Sequence, residues 1–106
     1  MLAVKVKIVR YLSDDPQPGG VQCELEDAHG QRWSIVEKTA IVSTADLDAR
    51  SSYYPQQGLI GCEIVRRRRD AEREIVRITT ERPWNVESID GSTEFDVLPD
   101  ALVEVN

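Results

Sequence analysis

Apolar and polar residues alternate along much of the chain, and this period of two constrains the fold more than any other feature of the sequence. Near the start, Val4, Val6 and Ile8 alternate with Lys5 and Lys7. Residues 21–26 repeat the pattern, with apolar side chains at every second position. Because successive side chains of a strand point to opposite faces, the alternation predicts β-strands that bury one face.

A turn signal follows the second of these stretches. Residues 27–31 read Asp-Ala-His-Gly-Gln, which favours a three-residue hairpin loop with Gly30 in the left-handed conformation. The returning strand is expected to run from Gln31 to about Val42. The predicted register has three facing pairs, which are Leu25 with Trp33, Cys23 with Ile35, and Glu26 with Arg32.

Two further hairpins are predicted downstream. The first joins residues 59–69 to residues 74–82, and the second turns at Asp90-Gly91, a dipeptide typical of two-residue hairpin loops. The expected facing pairs of the first are Ile64 with Ile78, Cys62 with Thr80, Arg66 with Val76, and Arg68 with Glu74. Those of the second are Trp84 with Val97, Val86 with Phe95, Glu87 with Glu94, and Asn85 with Asp96.

These elements predict a single all-β domain over residues 1–106. The expected architecture is a small antiparallel β-barrel of about six or seven strands, with a β-sandwich as the alternative and at most one or two short helical turns. Residues 43–58 form the longest irregular segment, in which Ser43 or Thr44 could cap a helical turn over residues 45–50. The tail 101–105 is either one helical turn or an edge strand.

The net charge of −6 is unevenly distributed. Residues 1–82 hold thirteen acidic and thirteen basic side chains, whereas residues 83–106 hold six acids and no Lys or Arg. No apolar run reaches the roughly 20 residues that span a bilayer. The amino-terminal residues lack the order of charge and apolar stretch typical of a signal peptide, so a cytoplasmic protein without membrane contact is expected.

The sequence holds no pattern that specifies catalysis, a metal or a cofactor. The single histidine, His29, lies in a predicted tight turn, where polar residues are favoured by backbone geometry. Cys23 and Cys62 lie in apolar strand patterns with no histidine nearby, so they are expected to be buried and reduced. An enzyme is therefore the less favoured interpretation.

The predicted third hairpin supplies the main candidate site. It places Glu87, Glu94 and Asp96 on one face, close to Asp90 at the turn. Like charges that face each other across strands cost stability unless an opposite charge offsets them. The offset could come from Arg67 and Arg77 of the same chain, from a cation, or from a basic protein partner. The candidate partner-binding residues on this reasoning are Glu87, Asp90, Glu94, Asp96, Arg67, Arg69 and Arg77.

Two other segments could contribute to binding. In the run Arg66-Arg67-Arg68-Arg69, alternation is expected to place Arg67 and Arg69 outward beside Arg77. Tyr53 and Tyr54 could form a recognition patch, since tyrosine is common at interfaces. The two tryptophans, Trp33 and Trp84, are expected to face inward.

The sequence favours a non-enzymatic module that binds another protein, or a copy of itself, through an acidic hairpin surface. A small inhibitor of a basic protein fits this description. The alternatives are a small barrel that binds nucleic acid through residues 66–69, and a barrel or enzyme that binds a small ligand.

Overall fold

The computed structural model describes residues 1–13, 20–42 and 53–105, and most of them lie in β-strands. The all-β prediction is confirmed: the strands form two antiparallel sheets, and helical structure is limited to two short turns in the described ranges. No closed barrel is found there. The predicted helical turn over residues 45–50 lies outside the described residues.

The first sheet is built around the long strand β1. It has the order β3-β2-β1-β4, and a short carboxy-terminal strand, β8, also pairs with β1. Its strands are β1 (Leu2–Ser13), β2 (Gly20–Glu26), β3 (Arg32–Lys38), β4 (Gln56–Gly61) and β8 (Leu102–Glu104). The second sheet has the order β5-β6-β7, with β5 (Glu63–Asp70), β6 (Arg73–Thr79) and β7 (Glu94–Val97).

The two sheets share one hydrophobic core. Val4 and Ile8 of β1 are fully buried, as the alternation predicted, and they belong to the same cluster as Ile78 and Val97 of the second sheet. The space between the sheets is therefore filled by apolar side chains, whose removal from water is the main stabilising contribution to a fold of this kind.

The hairpin between β2 and β3 has the predicted register. Leu25 faces Trp33, Cys23 faces Ile35, and Glu26 faces Arg32. Gly30 adopts a φ of 81°, and the amide of Asp27 donates to the carbonyl of Gln31 at 2.9 Å. The hydrophobic pattern and the turn residues each specify this register, so two independent features of the sequence agree on it.

The returning strand ends earlier than predicted. β3 stops at Lys38, and Thr39–Val42 form a helical turn, α1. Val42 is buried and Ile41 packs against the same core. Two consecutive residues of a strand would point to opposite faces, so the helical turn lets both side chains reach the core.

The hairpin between β5 and β6 follows the predicted register only at its open end. Ile64 faces Ile78 as predicted, but a bulge at Val65 shifts the rest by one residue. Arg66 therefore faces Arg77, and Arg68 faces Ile75, so the predicted pairs of Arg66 with Val76 and Arg68 with Glu74 are wrong. An extra residue in one strand reverses which side chains share a face beyond it.

The predicted pairing of residues 84–87 with β7 is also wrong. The chain does reverse at Asp90-Gly91, where the amide of Ser88 donates to the carbonyl of Ser92 at 2.9 Å and Gly91 has a φ of 88°. The loop holds three residues instead of two, so the facing positions differ by one. β7 pairs with β6 instead, and Val86 hydrogen-bonds to Thr80.

The tail 101–105 forms an edge strand, which is one of its two predicted alternatives, and a helical turn precedes it. Residues Pro99–Ala101 form a 3-10 turn, and Leu102–Glu104 form the edge strand β8.

Gly58 provides a test of core packing. A Cβ at this position would lie 2.9 Å from side-chain atoms of Ile8 and from the carbonyl oxygen of Val42. We expect Gly58→Ala to lower the free energy of unfolding by about 1–3 kcal/mol, because the backbone contact cannot move cheaply. Urea denaturation measures the change. The matched control is Gly20→Ala, whose Cβ would meet only the Glu37 carbonyl at 3.7 Å, and equal midpoints for the two variants would contradict the packing described.

Candidate functional site

The carboxylate of Asp96 lies at the centre of a cluster of cations. Asp96 of β7 faces Arg77 of β6, and Arg77 Nε donates to its Oδ1 at 2.7 Å. Arg68 of β5 donates through Nη2 to Oδ2 at 3.0 Å. The Asp96 side chain is only 9% exposed, so both of its oxygens are bonded within the protein.

The bulge at Val65 determines which arginines join this cluster. Because the register shifts by one there, Arg66 and Arg68 share the face of Arg77. Arg67 and Arg69 share the opposite face with Glu74. The prediction that Arg67 and Arg69 lie beside Arg77 is therefore wrong, and the inserted residue is the reason.

The third side chain that contacts the Asp96 carboxylate comes from the first sheet. His29, in the turn between β2 and β3, has its Nε2 at 3.1 Å from Asp96 Oδ2. The amide of the neighbouring Ala28 donates to the backbone carbonyl of Asp96 at 2.7 Å. Asp27 orders the turn by accepting from the amides of His29 and Gln31 and from the indole of Trp33. One residue of the second sheet thus holds the tip of a hairpin of the first.

Charge stabilisation dominates the electrostatics of this cluster. Hydrogen bonds from Arg77 and Arg68 hold the pKa of Asp96 well below its usual range, with a smaller contribution from His29, although partial burial opposes the shift. The same bonds raise the pKa of Arg77 and Arg68. The carboxylate therefore remains ionised throughout the neutral range.

The hydrogen bonds of His29 in the described ranges lead to its own turn and to the Asp96 cluster. A histidine that works as a general base needs a nucleophile or substrate proton within hydrogen-bond reach. Among the described residues, His29 bonds no serine, threonine or cysteine side chain. No group of three or more metal-ligating side chains is found in those ranges either. The cluster acts as a cross-link between sheets.

The predicted acidic residues do not form the expected hairpin face. Glu94 faces Thr79 instead of Glu87, and it lies 3.6 Å from Arg77. Asp90 is exposed and accepts a hydrogen bond from the hydroxyl of Ser88, while Glu87 is exposed. Asp96 is withdrawn into the ion cluster. Partner binding by Glu87, Asp90 and Glu94 stays a prediction.

β5 is the most exposed strand of the described structure. β6 pairs with one of its edges, and no described strand pairs with the other. Ile64 and Val65 are 38% and 46% exposed. Arg67 is 3.0 Å from Glu74, Arg69 donates to the carbonyl of Glu72 at 3.4 Å, and Arg66 is exposed without an ion pair in the described ranges.

The aromatic predictions are met in part. Trp33 packs against the core and lies edge-on to Phe95, with ring centroids 5.3 Å apart. Trp84 was expected to face inward, but it is 54% exposed because residues 83–84 lie over Gly61 on the outside of the core. Tyr53 is 89% exposed, whereas Tyr54 packs against the core.

Several residues of interest are not among the candidate protein-binding residues that the sequence predicts. Arg66 and Arg68 belong to an arginine run in the sequence, but the face on which they lie depends on the bulge at Val65. No glycine or other turn residue in the sequence indicates this bulge. His29 was interpreted as a turn residue, and nothing in the sequence indicated its contact with Asp96. Ile64 and Val65 were placed in a strand, and their exposure follows only from the open edge.

Comparisons with known proteins add no assignment: no family model, no curated protein and no solved structure matches this chain. Within the described ranges, no helix has the length and apolar content needed to span a membrane.

Asp96→Asn tests the ion cluster. The folded-state pKa of Asp96 lies below its unfolded value, so its contribution to stability is present above the unfolded pKa of about 4 and is lost as pH falls below it. We expect the variant to lose about 2–3 kcal/mol of unfolding free energy at pH 7, the cost of breaking charged hydrogen bonds that are partly shielded from water.

Urea denaturation at pH 7 and pH 3 measures this effect. The difference between wild type and Asp96→Asn is expected to shrink at pH 3. The control is Asp100→Asn, which removes an exposed carboxylate without an ion pair in the described part of the chain. The cluster described here is contradicted if both variants behave alike at both pH values.

The two cysteines are free and buried, as the sequence predicted. Burial raises the pKa of Cys23 to about 12 and that of Cys62 to about 11, with smaller contributions from the charges of Glu37 and Glu63. Since the thiolate is the reactive form, neither side chain has the character of a nucleophile at neutral pH.

Alkylation by iodoacetamide at pH 8 tests this conclusion. Both thiols are expected to react at least about a hundredfold more slowly in the folded protein than in urea, because a raised pKa lowers the thiolate fraction. Mass spectrometry of quenched samples gives the rates. A thiol introduced by Asp100→Cys serves as the exposed reference, and folded-state rates for Cys23 or Cys62 equal to that reference would contradict their burial.

Proposed function

We propose that this protein is a non-enzymatic module that binds another protein by strand addition to the open edge of β5. The observation that carries the proposal is an eight-residue strand with no described partner on one edge and four consecutive arginines along its length. An unpaired edge offers a row of backbone donors and acceptors to an extended segment.

The charge of this region favours an acidic partner. Residues 63–79 hold six arginines and four carboxylates, so this ribbon is net positive in a chain of net charge −6. Arg68 and Arg77 are paired with Asp96, and Arg67 is paired with Glu74. Arg66 and Arg69 lie on the exposed strand without an ion pair in the described ranges. Complementary charge speeds encounter and excludes wrong partners. The proposed partner thus differs in sign from the basic protein that an acidic hairpin surface would bind.

The same charges disfavour pairing with a second copy. Two β5 strands side by side would bring arginines of both copies together, and like charges on an edge are a known defence against self-association. A partner strand with alternating carboxylates meets no such repulsion. Edge protection alone does not account for Ile64 and Val65, which leave apolar surface exposed on the same strand.

The other candidate functions have weaker support. A ligand-binding barrel needs a cavity between its strands, and apolar side chains fill the space between these sheets. Nucleic-acid binding through residues 66–69 is opposed by the ion pairs of Arg67 and Arg68 with Glu74 and Asp96.

Affinity capture from an extract of the cells that make the protein tests the proposal. The double variant Arg66→Gln, Arg69→Gln is expected to lose at least about tenfold in recovery of a specific partner, because two exposed cations without an ion pair in the described ranges are removed from the binding edge. Partner and recovery are measured by quantitative mass spectrometry.

The matched control is the double variant Lys5→Gln, Lys7→Gln. It removes the same charge from exposed positions on the outer face of the first sheet. Equal loss in both variants would show a general charge effect and would overturn the assignment of β5 as the binding edge. Retention by both would overturn it as well.

A further inference from the structure

A groove with mostly apolar walls adjoins the start of β5. Its volume is about 380 Å³, and it is continuous with the strand because Glu63 and Ile64 belong to both. Ile64 is 38% exposed there, and Met1 is 51% exposed. The groove is lined by Met1, Leu2, Cys62, Glu63, Ile64 and Pro83.

The charged groups that line this groove already form ion pairs. Arg82 Nε lies 2.8 Å from Glu63 Oε1, so the only ionised side chain in the lining already has a partner at the rim. The ammonium group of Met1 is paired as well, at 2.9 Å from Glu104 Oε1, so a charged ligand group meets no unpaired counter-charge among the described lining residues. Apolar side chains gain most from such a surface, since their burial removes hydrocarbon area from water.

The order of the two surfaces along β5 is fixed by the chain. The groove lies at Glu63 and Ile64, and the arginines follow at residues 66–69. Every strand pair in the described structure is antiparallel, and antiparallel pairing is slightly more stable per residue than parallel pairing. A partner strand that runs antiparallel to β5 therefore meets the arginines with its first half and the groove with its second.

We infer that the groove receives an apolar side chain of the same protein segment that pairs with β5, so that the segment is acidic in its amino-terminal half and apolar in its carboxy-terminal half. The inference rests on the proposed function and adds the sequence character and direction of the partner segment. The arginines attract the acidic half of the segment by their opposite charge. The groove adjoins the start of β5, so it contacts the apolar half.

Fluorescence anisotropy at low ionic strength tests this inference with defined peptides of about ten residues, long enough to span β5 at about 3.4 Å per residue. The first peptide alternates glutamate with threonine and ends in two leucines. The second has serines in place of the leucines, and the third has the two halves exchanged. We expect the first to bind about tenfold or more tighter than either of the others, the gain from burying a leucine side chain.

Two protein variants test whether the tighter binding of the leucine peptide depends on the groove. Ile64→Thr keeps a β-branched residue in the strand and is expected to erase the advantage of the leucine peptide. Val36→Thr, at a 48% exposed position of β3, is expected to keep it. Circular dichroism verifies that both variants are folded.

The outcomes separate the inference from the proposed function. Equal affinity of the leucine and serine peptides, equal advantage in both protein variants, or absence of binding by all three peptides would overturn the inference. Tighter binding of the exchanged peptide would overturn the antiparallel direction. Each of these results leaves the capture experiment with the arginine variants to decide the proposed function independently.

Discussion

The shared hydrophobic core sets the frame on which the rest of this structure depends. Val4 and Ile8 from one sheet and Ile78 and Val97 from the other lie in a single buried cluster. Because the inner faces of both sheets are committed to this cluster, their polar residues must occupy outer faces and strand ends. The ion cluster at Asp96 forms at such an end, where a hairpin turn of the first sheet meets the edge of the second.

The Asp96 cluster illustrates how a nearly buried charge can be tolerated. A buried carboxylate is costly unless opposite charges and hydrogen bonds compensate for lost water. Asp96 has two arginines and a histidine within hydrogen-bond distance of its oxygens. One nitrogen of Arg68, Nη1, is buried without a hydrogen-bond partner in the described structure, so the compensation is incomplete on the cation side. This geometry supports a role in holding the sheets together more than one in chemistry.

The sequence predicts this fold well where two local signals agree. In the hairpin of β2 and β3, both the alternation of residues 21–25 and Gly30 specify the same register, and the observed pairing matches. Prediction fails where one inserted residue changes the face of every side chain after it. The bulge at Val65 does this for the arginines. Glu87 and Glu94 are separated for a different reason, because residues 84–87 form no strand and β7 pairs with β6. The alternation of apolar and polar residues assumes an unbroken strand and gives no sign of an inserted residue. Every side chain after a bulge is therefore assigned to the wrong face.

β4 and β5 are one stretch of chain interrupted only at Cys62, whose amide donates to the carbonyl of Leu2. The first half of this stretch is paired with β1 over six residue pairs, and the second half belongs to the other sheet. The backbone of β5 is consequently connected directly to a strand that is hydrogen-bonded to β1. The exposed strand is therefore held at its amino-terminal end by the first sheet and along one edge by β6, and it can leave its other edge open to solvent while it stays attached to the fold.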